Sequence, residues 1–333
     1  MRSRLRALVA VSILLIVVLI FLGAKPRNDF PAGTPGVEIE FIISDGEIGS
    51  SIAAQLQKSG VIRDAKKFIA IFTSDPAAQG ISPGSHSVET HIPASQAVLQ
   101  LLDPKRINNI LVVREGSTLS DVIATLQLND HISKKRSGFA RVKSLYPQES
   151  TSLEGSLFPA QYTYEPNTTT ATALEAMVTK AKEETLKIGM NLGFEKFTPF
   201  QVLTIASMVQ VEGDPKSYRK VARVIYNRLA IGMALQLNST VQYASNLRGQ
   251  ITLSKRATQI DSPFNTYRRV GLPPHPISNP GLSAISASLK PASGDWLYFI
   301  TVAPGDTRFT KDFLEFSGWN TEFNRNVAAG VFK

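Results

Sequence analysis

Residues Thr198–Gly213 read TPFQVLTIASMVQVEG, a nearly apolar run that carries a single carboxylate, Glu212, close to its end. Thr198 has the hydroxyl of an N-cap, Pro199 suits the first helical position and Gly213 supplies a stop, so the run reads as a helix bounded at both ends. Steps of three, four and seven back from Glu212 land on Val209, Met208 and Ile205, which places the acid on an apolar stripe. Burial without a paired cation disfavours the charged carboxylate, and the resulting proton affinity is what a general acid needs near neutral pH. An acid that merely ends a structural helix has the same local pattern, so the flanking sequence has to decide.

Downstream, Asp214 and Pro215 cap and open a second helix, Lys216–Ile231, in which Arg219, Lys220, Arg223, Asn227 and Arg228 oppose Tyr218, Val221, Ala222, Ile225 and Leu229. Gly232 ends it, and Met233–Tyr243, MALQLNSTVQY, gathers the hydrogen-bonding side chains of Gln236, Asn238, Ser239 and Thr240. Ser262–Gly281, SPFNTYRRVGLPPHPISNPG, is too rich in Pro and Gly for helix or strand, and a long irregular loop in a compact domain is usually functional. Its Asn265, Thr266, Tyr267 and Asn279 offer the amide, hydroxyl and aromatic groups that hold sugar hydroxyls. Trp296–Val302 reads as a buried strand, and the tail from Phe309 to Asn326 is mixed.

Upstream, Thr170–Lys187 reads as a helix, and Leu153–Tyr164, LEGSLFPAQYTY, interleaves Glu154 with Phe158, Tyr162 and Tyr164, which suits sugar stacking and an ordinary core equally well. Val37–Ile43 alternates like a strand, Asp45-Gly46 turns, and Ile48, Ile52, Ala53 and Leu56 fall on one helical side before Val61 and Ile62 close the unit. Seventy positions later Val113, Glu115, Gly116, Ser120, Val122, Ala124, Leu126 and Ile132 stand where Ile43, Asp45, Gly46, Ser50, Ile52, Ala54, Leu56 and Ile62 stood, an internal repeat. Between the copies, Ile81–Val88 reads as a turn and Ala94–Leu102 as a short amphipathic helix. Lys134, Lys135, Arg136, Arg141 and Lys143 make a basic stretch, a solvated face that also suits anionic polymers.

The N-terminus holds Arg2, Arg4 and Arg6, then an uncharged run from Ala7 to Ala24, then Lys25 and Arg27, a pattern just long enough to span a bilayer with its N-terminus inside. A cleaved signal peptide is the competing reading, against which Leu22 is bulky for a cleavage after Ala24. Asn28–Gly36 is a turn-rich linker off that anchor. The net charge of +9 favours an acidic partner, and the expected anchor turns that charge towards envelope material rather than nucleic acid. The 333 residues allow about two domains. No cysteine is present and the four histidines form no metal-ligand pair, which excludes thiol chemistry, disulfides and cysteine-bound metals and argues against a zinc site; no metal or cofactor is expected.

The strings LEGSLFP, IASMVQVEG, ARVIYNRLAIGMALQLNSTVQY and SPFNTYRRVGLPPHPISNPG, in that order over most of Leu153 to Pro291, closely resemble the MltG (YceG-like) endolytic murein transglycosylases. The repeat resembles, loosely, the glycan-binding LysM module. Together they imply an α+β chain: anchor over 1–27, linker over 28–36, a small LysM-like α/β region over 37–145 and a mixed α+β YceG-like catalytic domain over 150–333. The resemblance implies a plasma-membrane enzyme that cuts MurNAc–GlcNAc bonds in peptidoglycan glycan strands, leaves 1,6-anhydroMurNAc ends and thereby ends strand elongation, with glycan polymerases as possible partners. Its catalytic glutamate falls on Glu212, with Gln210 in place of the first acid of an ASIVEKE-like pattern. Gln236, Asn238, Thr240, Asn265 and Tyr267 are the substrate-binding candidates, with Glu154 as a second electrostatic partner or a structural group. Asn238-Ser239 replaces the family's Asp-Pro, His275 a glycine and Ala160 an aspartate, and the EHN element has no match near Phe316–Asn320. These departures keep open a reading from another class, a catalytically silent glycan-binding scaffold that recruits wall-synthesis proteins.

Overall fold

The structure, a computed structural model, describes residues 29–44, 46–108, 110–129, 132–133, 142–165, 168–247, 253–254 and 256–332. The expected anchor and residues Lys134, Lys135, Arg136 and Arg141 of the basic stretch lie outside them. No helix among the described residues is long and apolar enough to cross a membrane. The fold is mixed α and β, with ten α-helices and several small sheets among the described residues, and it divides into two compact units.

Unit one comprises residues up to Ile110 together with Thr163–Glu165. Strands β1 (Glu38–Ile43), β2 (Gly84–Glu89) and β3 (Ile107–Asn108) form an antiparallel sheet with β2 in the middle. The β1 alternation holds: Phe41 and Ile43 enter a core shared with Ile52 and Leu56 of α1 (Gly49–Lys58), Phe68 of α2 (Ala65–Ser74) and Leu101 of α3 (Ala94–Leu102). Ile48 does not join that side; it is exposed at the N-cap of α1. Gly84–Glu89 is the central strand of the sheet rather than a turn. Ser85 and His86 hide this in the sequence; both are buried, with the Ser85 hydroxyl donating to Glu40 at 2.5 Å and His86 Nε2 hydrogen-bonded to the Ser82 carbonyl at 2.9 Å.

Unit two holds Leu111–Tyr162 and Pro166–Lys333, so the second copy of the repeat clusters with the motif-bearing region. That copy contains β4 (Ile110–Val112), α4 (Leu119–Leu128) and β5 (Ile132–Ser133); β4 pairs with β6 (Gln161–Thr163), and β5 runs parallel to β7 (Thr168–Thr169). α5 (Thr170–Lys187) follows, then α6 (Pro199–Glu212), the helix of the opening stretch, with the bounds expected for it. Thr198 and Gln201 form a reciprocal capping box at its start, which contributes about 1 kcal/mol through the two N–H groups it satisfies. The single apolar stripe needs correcting. Val202 to Val209 are all buried, because α7 (Tyr218–Ala230) and α9 (Leu282–Leu289) both pack on α6 and leave that stretch no solvent face. Asp214 accepts from the N–H groups of Lys216 and Ser217, so it caps the turn that leads into α7.

Unit two closes with α8 (Asn238–Ser245), the antiparallel hairpin of β8 (Tyr298–Ala303) and β9 (Asp306–Thr310), and α10 (Phe313–Ala328), which packs on β8. β8 is only half-buried except at Val302. The tail that reads as mixed in the sequence holds the end of β9 and most of α10.

Candidate active site

Glu212 is the last residue of α6 and looks into a cavity of about 490 Å3 lined by Arg228 of α7, Gln236 and Asn238 before and on α8, Tyr267, and the aromatic faces of β8 and α10. That volume lies within the range of about 300–1,000 Å3 usual for small-molecule sites. One Glu212 carboxylate oxygen accepts the backbone N–H of Ser239 at 3.0 Å. Ser239 is the second residue of α8, so the carboxylate satisfies one of the amides that a helix start leaves without an internal partner. Burial holds the Glu212 pKa above the ordinary carboxyl range, while the Ser239 hydroxyl and backbone N–H pull it down. Desolvation wins, as expected where no cation pairs with the acid. The Ser239 hydroxyl is itself buried beside the carboxylate and completes no hydrogen bond of regular geometry.

Among the described residues lining the cavity, Glu212 is the only carboxylate and Arg228 the only cation. Arg228 is 7% exposed, although the helical pattern puts it on the polar face of α7. Its burial is tolerated because backbone carbonyls surround one side of the guanidinium: Nε donates to Leu297 at 2.6 Å and Nη1 to Ala234 and Leu235 at 3.2 and 2.7 Å. Burial lowers its pKa from the usual value. The Tyr298 ring lies 5.2 Å from the guanidinium carbon, a cation–π contact. The Tyr267 hydroxyl donates to Asn238 Oδ1 at 2.7 Å, and burial, reinforced by the negative charge of Glu212, raises its pKa, so it stays a donor.

The cavity therefore brings together Glu212, Gln236, Asn238 and Tyr267 of the expected residues. Thr240 and Asn265 lie behind it. Asn265 is fully buried, with its amide donating to the carbonyls of Thr258 and Ile260 and its oxygen accepting from the Tyr267 N–H. The Thr240 hydroxyl donates to the Leu237 carbonyl and shares a 2.9 Å hydrogen bond with Thr266, which accepts from the Leu237 N–H. Both side chains spend their hydrogen bonds on the protein and position the cavity wall instead of lining it. Gln236 shows the consequence: it is held at φ 51, a conformation few non-glycine residues adopt, while its N–H donates to the Thr266 carbonyl.

The Pro-rich loop is tied down in the same way. Ile277 N–H donates to the Ser207 hydroxyl, the Leu157 N–H donates to Asn279 Oδ1, Asn279 Nδ2 donates to the Ser117 carbonyl, and Gly281 N–H donates to Gln210 Oε1. An irregular segment buried against helices must satisfy its amides like this. Of its four expected sugar-binding groups, only Tyr267 reaches the cavity. Gln210 also donates to the Tyr218 hydroxyl at 2.8 Å and to Glu115 at 3.3 Å, which joins the Glu115–Gly116 turn to α6.

Glu154 is not at this cavity. It is 2% exposed, accepts the Leu119 N–H at the start of α4 with both oxygens and the Tyr243 hydroxyl at 3.1 Å, and borders a separate cavity of about 800 Å3. His275 packs edge-on against Phe264 and Tyr243, next to residues of that second cavity. Tyr162 and Tyr164 are buried, so the core reading of LEGSLFPAQYTY holds for them.

Arg228, Ser239 and the aromatic wall of Tyr298, Phe313, Phe316 and Phe323 escaped the sequence reading of the site. The wall had a signal: Phe313, Phe316, Asn320 and Phe323 are spaced three, four and three apart, one face of a helix. Ser239 stood in the cluster of hydrogen-bonding side chains of Met233–Tyr243 without a role of its own, and Arg228 had no signal, since its importance comes from what folds around it.

Comparison with known proteins agrees with this architecture. The model of the YceG-like family matches residues 41–322. An endolytic murein transglycosylase of Bacillus subtilis is 32% identical over 297 residues, covering 82% of this chain and 81% of that protein. One from Streptococcus pneumoniae is 32% identical over 227 residues, covering 66% of this chain and 40% of that longer protein. The crystal structure of a yceG-like protein from Listeria monocytogenes superposes with a TM-score of 0.56 at 27% identity, covering 85% of this chain and 99% of that one. With a family model spanning most of its length and a relative 32% identical over about four fifths of both chains, this chain belongs to the YceG-like family.

Proposed function

We propose that this protein is an endolytic murein transglycosylase that cuts MurNAc–GlcNAc bonds within peptidoglycan glycan strands. The names of its relatives support the activity, and one observation supports the mechanism: the cavity holds one desolvated carboxyl group and no second carboxylate among the described residues. Hydrolytic glycosidases work with two carboxyl groups, one of them a nucleophile or a base for water. A lytic transglycosylase needs one, because its substrate supplies the nucleophile. Protonated Glu212 gives its proton to the glycosidic oxygen. The resulting carboxylate takes the proton of the MurNAc C6 hydroxyl as that oxygen attacks C1, closing the 1,6-anhydro ring and restoring the acid. The hydrogen bond from the Tyr267 hydroxyl to Asn238 Oδ1 fixes both side chains at the cavity wall, where they align the sugar for attack.

In this reading the arginine-flanked run from Ala7 to Ala24 anchors the chain in the plasma membrane with the cavity outside the cytoplasm, next to glycan polymerases, and the repeat region follows the strand. Cleavage in H2(18)O tests the reaction class. Purified strands treated with the protein should yield anhydro-ended fragments without the heavy isotope; reducing ends that carry 18O would show a hydrolase, and no fragments at all a binding scaffold.

A further inference from the structure

Arg228 presents an open edge to the cavity. Its Nε and Nη1 are committed to three backbone carbonyls, whereas Nη2 has no hydrogen-bond acceptor among the described residues. No ion pair between Arg228 and a carboxylate is present among them either. A buried cation without a counter-ion is costly to keep, and here it is oriented: carbonyls fix one side and the Tyr298 ring covers a face. The other ionisable group with a carboxylate in the cavity, Glu212, works in its neutral, protonated form, so the ready site carries net positive charge. A guanidinium edge in that setting selects a planar anion.

We propose that Arg228 is the carboxylate-recognising group of this site, binding a carboxylate of the glycan substrate at Nη2 while Glu212 addresses the glycosidic oxygen. This assignment rests on the transglycosylase reading and deepens it by naming the substrate feature that is read. A strand of alternating GlcNAc and MurNAc offers carboxylates of two origins. One is the lactyl group of MurNAc, ionised where the stem peptide has been removed and an amide where it is present. The other is the stem peptide itself. GlcNAc has none, so the contact would separate peptidoglycan from chitin-like polymers and fix which sugar sits on which side of the acid.

The test measures binding by the full chain carrying Glu212→Gln, so that strands stay intact. The ligands are peptide-free strands, the same strands with their carboxylates converted to methylamides, peptide-bearing strands, and peptide-bearing strands treated likewise. A charge-assisted hydrogen bond of the usual size corresponds to roughly a ten- to hundredfold loss of affinity on neutralisation. Loss confined to the peptide-free pair assigns the lactyl carboxylate, and loss confined to the peptide-bearing pair assigns the stem. Adding Arg228→Lys should shrink the difference within the sensitive pair. Equal affinities within both pairs would overturn the assignment, and that arm needs no change at Arg228, whose removal could disturb folding. The two failures are distinct. If the chemistry is misread, the wild-type protein releases no anhydro ends from any strand; if Arg228 is misassigned, it releases them regardless of carboxylate neutralisation.

Discussion

At Glu212 two effects of opposite sign act on one proton. Desolvation raises the pKa and the Ser239 groups lower it. The backbone half of that opposition is the Ser239 N–H, a group that proline at this position would lack. Substituting Ser239→Pro removes both the N–H and the hydroxyl from the charged form, so the Glu212 pKa should rise further. The general acid must be protonated, hence the alkaline limb of the kcat/KM profile should move to higher pH, with the plateau changed less than the limb. A limb that stays in place or moves to lower pH would show that Ser239 does not tune the acid. Proline is tolerated in the first turn of a helix, so α8 should survive the change.

At the scale of elements, the site depends on how the Ser262–Gly281 loop is held against α6. Gly155 shows how tight that packing is: its φ is +81, and a Cβ there would overlap the Pro276 ring. Gly155→Ala combines backbone strain with a clash, and should destabilise the protein by about 1–3 kcal/mol. Denaturant unfolding checks this; an unchanged midpoint would mean the loop is not pressed on the Leu153–Tyr164 segment as described. Much of this level was legible in the sequence. The bounds of α6 follow from Thr198, Pro199 and Gly213, and α5 covers the Thr170–Lys187 expected for it. The β2 strand was not legible, since GSHSVE has neither alternation nor β-rich composition and owes its state to strands on both sides. The loop's function was half legible. Its polar residues matter, but Asn265, Thr266 and Asn279 serve the backbone, and a sequence does not tell a side chain that holds sugar from one that holds a carbonyl.

Across the whole molecule, the candidate site was legible at Glu212 and at the segments that converge on its cavity, and illegible at Arg228, which is held by the carbonyls of Ala234 and Leu235 just beyond its helix and by that of Leu297, 69 residues along the chain. The C-terminal wall was within reach of a periodicity argument, through Phe313, Phe316 and Phe323. The two segments that read as copies of a repeat fall in different units. The later segment contributes the Glu115–Gly116 turn that meets Gln210 and Asn279 in unit two, while the earlier one supplies Ile43, Ile52, Leu56 and Ile62 to the core of unit one. The net charge of +9 fits an anionic polymer as partner, and the proposed role of Arg228 gives that charge one specific address. All of these statements turn on a single acid. The most direct measurement is therefore mass spectrometry of purified glycan strands incubated with the wild-type protein and with its Glu212→Gln variant. The account expects 1,6-anhydroMurNAc ends from the wild type and a loss of at least about a hundredfold in the variant, the usual lower bound for removing a general acid, with an unfolding midpoint no lower than wild type. Anhydro ends released by the variant at the wild-type rate would contradict it.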